Sequence, residues 1–220
     1  MPKTNALSRS QRSHHRNPRT ASSIILSILL GICIFLSVLH GVFFGTSWQV
    51  TSIGNAGNTK QEAIYSQVMG YLEGKGALPA EMTAAEKSHM ADVRNVVVTG
   101  TQSEFALWIV FLIAGAAYYL FARKQRKTFF TMMRDAAFSV GGIIILLAIG
   151  ALFFDQFFVL FHNVLFPQGN WLFPPTSMLI STFPESFFQE GLLRILEELV
   201  GCALVLYGGG LLGRHFAEKA

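Results

Sequence analysis

Residues 157–188 read FFVLFHNVLFPQGNWLFPPTSMLISTFPESFF, a stretch as apolar as a membrane span that cannot be one. Pro167, Pro174, Pro175 and Pro184 interrupt it, and each removes a backbone donor and breaks a helix close by. Backbone groups freed in this way are not tolerated against lipid tails. A segment so apolar and so broken belongs at the membrane surface, half-immersed, or folded into the mouth of a helix bundle. Inside it sits one histidine, His162, with Phe158, Phe161, Leu165 and Phe166 close to it in sequence.

The rest of the chain supplies the bundle. Residues 22–47, SSIILSILLGICIFLSVLHGVFFGTS, contain no acid, lysine or arginine, and 105–122 and 136–154 are equally uncharged. A shorter fourth run covers 199–213. A helical span needs about 20 predominantly apolar residues, and the fourth run qualifies if it begins before Arg194. The expected fold is an all-α integral membrane protein: four transmembrane helices, an external helical domain and interfacial broken helices. The expected divisions are a disordered basic tail at 1–21, spans at 22–47, 104–122, 136–154 and 189–213, an external domain at 48–103, a loop at 123–135, the aromatic stretch at 155–188 and a tail at 214–220.

A net charge of +4 could suggest nucleic acid, but the positions of the charges explain it better. Lys3, Arg9, Arg12, Arg16 and Arg19 precede the first span; Arg123, Lys124, Arg126, Lys127 and Arg134 separate the second from the third; Arg214 and Lys219 follow the fourth. Twelve of the 17 basic residues thus fall on one side, which marks that side as cytoplasmic. No nucleic-acid partner is expected. Neither a P-loop, a Gly-rich dinucleotide turn nor a GxSxG elbow occurs, so no nucleotide site and no standard serine nucleophile is expected either. Cys33 and Cys202 both fall in predicted spans and read as packing residues.

Between the first two spans, Trp48 is a candidate interface anchor. Ile64, Val68, Tyr71 and Leu72 then recur at helical spacing, and Gly74 and Gly76 end that helix. Thr83 followed by Glu86 is a capping-box signature that opens a second helix. On it His89 and Asp92 stand three apart and share a face, while Met90, Val93 and Val97 form an apolar stripe. Spacing alone favours a solvated face for His89 and Asp92. The helix runs into span two, which puts His89 within a few turns of the membrane. Beyond span three, Gln168-Gly169-Asn170 reads as a turn, Trp171 as an interface anchor and 177–188 as another short surface helix. In span four, Arg194 and Glu198 are spaced to pair at i, i+4. His40, alone on an apolar helix, reads as a packing residue. Gly208–Gly210 and Gly141–Gly142 suit close helix packing.

If the chain is an enzyme, its external face must work with His89, Asp92 and His162, plus backbone and amide donors such as Asn163 and Asn170. On the residues alone two readings stay open, a hydrolase with a metal held by His89, His162 and Asp92 and a non-enzymatic assembly or accessory protein, and no particular reaction is revealed. No HExxH spacing supports the metal, and neither metal nor cofactor is expected.

Two external segments narrow the choice. EKSHMADV, at 86–93, resembles the Glu-x-x-His-Met-x-Asp-Val signature of the lipoprotein intramolecular transacylases, a family of small bacterial membrane proteins. FHNVLFPQGNWLF, at 161–173, followed by LISTFPESFF, resembles that family's second signature. The four-span layout and the 73-residue separation of His89 from His162 fit as well, so the resemblance covers roughly 24–213. It implies transfer of an acyl chain from the diacylglyceryl group of a lipoprotein's N-terminal cysteine to that cysteine's own α-amino group, giving the lyso form. It also implies dependence on two external histidines, with His89 and His162 in the matching places. In that reading His89, oriented by Asp92, is the candidate general base, and His162 is the partner acid or polarises the ester; the two roles are interchangeable. The aromatic stretch, with Phe158, Phe161, Phe166 and Trp171, would hold the acyl chains at the interface. Partners would be diacylglyceryl-modified lipoproteins and membrane lipid.

Overall fold

A computed structural model describes residues 21–45, 59–121 and 126–219. Trp48, His14, His15 and the basic residues before span one lie outside the described residues. Within them the secondary structure is helical: α1 (Ala21–Phe44), α2 (Thr59–Leu72), α3 (Ala84–Phe121), α4 (Arg126–Leu152), α5 (Phe154–Leu165), α6 (Met178–Thr182) and α7 (Glu185–Lys219). Helices α1, α3, α4 and α7 are long and apolar enough to cross a membrane. The protein is an all-α integral membrane protein with four spans.

The spans pack unevenly. Helices α4 and α7 lie along one another, and small residues let their backbones meet. A Cβ on Gly210 would come within 2.8 Å of the Phe130 carbonyl oxygen and 2.9 Å of Arg134 N. Gly141 and Gly142 do not share this role, because a Cβ on either meets nothing within 4 Å. The close approach rests on Gly210 and Gly213 of α7, while Gly208 also meets nothing within 4 Å and takes no part in it. Helix α1 fills the other side of this pair. Its Ser27 hydroxyl reaches the Met132 carbonyl at 3.1 Å, and Val38 and Val42 join Val140, Ile195 and Leu199 in the core. Helix α3 stands apart, with none of its apolar window buried. A polar chain fixes it to α1: Trp108 Nε1–H donates to Ser37 Oγ at 2.9 Å, and Ser37 O–H donates to Glu104 at 2.7 Å. His40 Nδ1 lies 3.3 Å from the same carboxylate. His40 is therefore a member of an interhelical network, where the sequence reads it as a lone packing residue.

Helix α3 has 38 residues, about 57 Å of rise against a hydrocarbon layer of about 30 Å. Only its second half, beyond Glu104, is free of charge. The first half projects past the bundle and supports a helical cap. There Met82, Met90, Val68, Leu72 and Leu179 form a second apolar core. The Arg94 guanidinium sits 4.9 Å over the Tyr71 ring, and Gln61 Nε2 donates to the Ser181 carbonyl at 2.7 Å. Helix α2 is thereby joined to both α3 and α6.

The aromatic stretch is broken where its prolines stand, but the pieces differ from the expected ones. Ser177 Oγ accepts from Ile180 N at 3.1 Å and caps α6, which ends at Thr182. Pro184 then opens α7, so Phe187 and Phe188 belong to the long helix and not to a surface one. A proline is well suited there, since the first turn needs no intrahelical donor. Arg194 also takes a different partner from the expected Glu198: its Nη2 lies 3.4 Å from Glu190 Oε1, one turn earlier. An acid placed N-terminal to the base at this spacing is the more favourable order.

Candidate active site

The site is assembled at the cap from α3, α5 and the turn that follows α5. Helix α3 begins with the capping box: Thr83 N–H donates to Glu86 Oε2 at 2.8 Å, and Glu86 N–H donates to Thr83 Oγ1 at 3.2 Å. Glu86 does more than cap. Its other oxygen accepts from Leu179 N–H at 3.1 Å, which ties α6 to the base of α3. The carboxylate is only 2% exposed. Burial alone would raise its pKa, but hydrogen bonds from Thr83, Leu179 and Met178 outweigh that and hold it below the usual carboxylate value.

One turn further along is His89, about 22 Å up the helix axis from Glu104. It is 7% exposed, so the solvated face that spacing favours is not what forms. The cap covers it: Phe166 meets the imidazole edge-on at 4.7 Å, and Phe173 lies at 5.6 Å. His162, near the end of α5, faces it across 6.3 Å between ring centroids, with the planes only 27° apart. Two histidines 73 residues apart in the chain are thus stacked in one place. Around His162 lie Phe158 at 4.0 Å, Trp171 at 4.8 Å and Phe161 at 5.5 Å.

His162 Nδ1 lies 2.8 Å from the Phe158 carbonyl oxygen. A carbonyl only accepts, so Nδ1 carries the proton and the lone pair is left on Nε2. Burial lowers the pKa of both rings from 6.5; for His89 the charge of His162 lowers it further, against smaller raising effects from Asn170 and Asp92. Both imidazoles are therefore neutral at pH 7 and able to accept a proton. That is the condition general-base catalysis requires.

Asp92 does not hydrogen-bond His89. Its Oδ2 accepts from Gln168 Nε2 at 2.8 Å and from Asn170 Nδ2 at 2.6 Å. Asn170 Nδ2 also lies 3.4 Å from Ser88 Oγ. Asp92 therefore acts on His89 by its own charge and by holding Asn170, whose amide also favours the charged ring. The turn between the two amides needs Gly169, which sits at φ 77°, a conformation costly for a residue with a Cβ. Asn163 is placed differently. It is exposed on α5 and makes no hydrogen bond among the described residues, so the structure does not bring it to the pair.

Three contributors are not among the residues the sequence singles out for the site. Gln168 reads as part of a turn, and only its reach across to Asp92 gives it a role. Phe173 is one phenylalanine among many, and Glu86 reads as a cap alone. Among the described residues no three His, Cys, Asp or Glu side chains gather as a metal site; Asp92, the third ligand such a site would need, is occupied by two amides.

Comparison with known proteins agrees with this architecture. An uncharacterized protein of Aquifex aeolicus (strain VF5) is 32% identical over 141 residues, covering 62% of this chain and 59% of that protein. The chain thus matches less than two thirds of that relative's length. An in meso structure of the membrane integral lipoprotein intramolecular transacylase Lit from Bacillus cereus superposes with a TM-score of 0.73 at 24% identity, over 90% of this chain and 95% of that one. Structures of the same protein with one histidine replaced by arginine or by alanine give TM-scores of 0.71 at 23% identity, over 90% of this chain and 91% and 93% of theirs. At such identities the likeness speaks for the fold. The sequence model of the lipoprotein intramolecular transacylase Lit matches residues 19–188, which include α1 to α6 and both histidines, and the chain belongs to that family.

Proposed function

We propose that the protein moves an acyl chain from the diacylglyceryl group of a lipoprotein's N-terminal cysteine to that cysteine's own α-amino group, forming a lyso-form lipoprotein. The observation that carries this reading is the stacked pair of neutral imidazoles, the buried His89 and the half-buried His162, in an aromatic cage. An α-amino group has a pKa near 8, so a neutral imidazole can take its proton at modest cost. His89, oriented by Asp92 through Asn170, is the general base. His162 is its partner, and the proton that the pair takes from the amine is returned to the leaving glyceryl oxygen. Direct attack by the amine needs no acyl-enzyme, which suits a site without a serine or cysteine nucleophile. Donor ester and acceptor amine belong to one molecule, and holding them together can lower the barrier by about 7–11 kcal/mol. Exchange of an ester for an amide is downhill, so no nucleotide is consumed. Phe158, Phe161, Phe166 and Trp171 line the acyl chains, while Asn170, and Asn163 at the exposed edge, face the polar headgroup.

The site lies at the outer face of the cytoplasmic membrane in this reading, because twelve of the 17 basic residues fall in the two tails and the 123–135 loop, on the other side of the spans in sequence order. A cysteine at Lys75 should react with an impermeant label on intact cells, and one at Thr128 only after permeabilisation; the reverse pattern would invert the topology. The activity is tested by mass spectrometry of a reporter lipoprotein's N-terminal peptide, made with and without this protein. An acyl group on the α-amino nitrogen that depends on the protein is the expected result. A reporter that is identical in both cells would refute the assignment.

A further inference from the structure

The buried polar atoms of the site do not all find partners. His89 Nδ1, Asn170 Oδ1 and the Trp171 indole Nε1 are enclosed and complete no hydrogen bond. Leaving a buried polar group unpaired costs about 1–3 kcal/mol, so each such atom calls for an explanation. Two of the three answer one another. Asn170 already acts on His89 through its amide, so donor Nδ1–H and acceptor Oδ1 are each other's available partner. The indole N–H has no such counterpart among the described residues.

Trp171 is held firmly in place. Its neighbour Asn170 is anchored on Asp92 at 2.6 Å, and its own ring lies on His162 at 4.8 Å, tilted by 39°. An indole offers one donor and no acceptor, so what it lacks is an acceptor oxygen beside the reacting imidazoles. We propose that Trp171 is a catalytic residue, donating its indole N–H to the carbonyl oxygen of the donor ester as that oxygen becomes an oxyanion. This rests on the transacylase reading above.

The step balances without any co-reactant. The lone pair of the α-amino nitrogen forms a C–N bond to the ester carbonyl carbon, and the carbonyl π pair moves onto oxygen, beside the indole N–H. The amine proton passes to an imidazole. Collapse of the intermediate re-forms the carbonyl and breaks the C–O bond to the glyceryl group, whose oxygen leaves with the proton from the imidazolium. Ester and amine become amide and alcohol. The indole bond strengthens as negative charge develops, so it acts on the transition state more than on bound substrate.

The test uses the purified protein in proteoliposomes with a synthetic lipopeptide bearing a diacylglyceryl-cysteine and a free α-amino group. Trp171→Phe keeps an aromatic ring on His162 and removes the donor. Its kcat should fall by about 10²–10³-fold, the usual effect of deleting one oxyanion donor, with little change in KM. Benzothienylalanine in place of Trp171 keeps the full bicyclic shape, exchanges N–H for sulfur and guards against a folding defect; it should show the same loss. A wild-type kcat in the benzothienylalanine protein would overturn the proposal. So would a defect confined to KM, which would mark the ring as acyl-chain packing only. Failure of the wild-type protein to N-acylate the lipopeptide is a different result: it would remove the transacylase reading and this proposal with it.

Discussion

The seam between α4 and α7 and the cage around His89 and His162 are both made from strongly apolar sequence, yet they use it in opposite ways. Along the seam, small residues bring backbones together, Val140, Ile195 and Leu199 pack inward, and other large apolar side chains point away. Ile145, Leu146 and Leu204 are 62–69% exposed, which suits lipid tails. In the cage the aromatic rings turn inward onto the two imidazoles, and hydrogen bonds to Asp92 and Glu86 fasten the segments that carry them. Apolar content alone therefore does not distinguish an anchor from a site. What distinguishes them is whether the rings enclose a titratable group and whether buried polar atoms fasten the segments that carry it.

The sharpest way to break this contrast is at the imidazoles. His89→Ala and His162→Ala should each reduce lyso-form conversion of a reporter lipoprotein by at least about 10²–10⁴-fold, the range for loss of a general acid or base, while the protein still reaches the membrane. If His162→Ala converts the reporter at the wild-type rate, the cage is an anchor after all. Asp92→Asn should be milder. It keeps the shape but weakens the grip on Gln168 and Asn170, so the base is misaligned and not deleted. A slow but measurable rate is expected. Complete loss would mean that Asp92 takes part in the chemistry directly.

At the seam the expected effect changes kind. Gly210→Val pushes a side chain against the Phe130 carbonyl and the Arg134 backbone. Overpacking of this sort costs about 1–3 kcal/mol, visible as a lower unfolding midpoint in detergent. The turnover of the protein that remains folded should stay unchanged. A large loss of turnover at full stability would show that the seam transmits its geometry to the cage, and the two regions would no longer be separable.

The legibility of the sequence follows the same divide. The spans are long uncharged runs, and their charge asymmetry is a one-dimensional pattern, so both could be read directly. The capping box at Thr83 and Glu86 was equally local, and it forms with both reciprocal bonds. Of the cage, the residues alone offer His89, Asp92 and His162 as the groups an external site must use, but spacing favours a solvated His89 and only the resemblance pairs the two histidines. What no pattern could give is contact between distant segments. Gln168 and Asn170 meet Asp92 across 76 and 78 residues, and Glu86 meets Leu179 across 93. Arg194 chose between two acids one turn away on either side, which the spacing could not decide. Trp171 was read as an interface anchor because its indole N–H has meaning only once the neighbouring imidazole is in view.

The smallest expected effect tests whether α3 joins cage and bundle rigidly. Its span is held to α1 through Ser37, which accepts from Trp108 and donates to Glu104. Ser37→Ala removes both bonds at once. Inside a membrane such interhelical hydrogen bonds average only about 0.6 kcal/mol each, because the separated helices find other partners. His40 also remains beside Glu104 at 3.3 Å and keeps the carboxylate paired. The unfolding midpoint should therefore drop slightly, by less than for Gly210→Val, and turnover should not change. His89 and Asp92 are fixed by Glu86, Gln168 and Asn170 well above this level, so a tilt of the lower half of α3 need not reach them. If Ser37→Ala slowed acyl transfer without lowering stability, the long helix would be acting as a lever, and the cage would depend on the span beneath it.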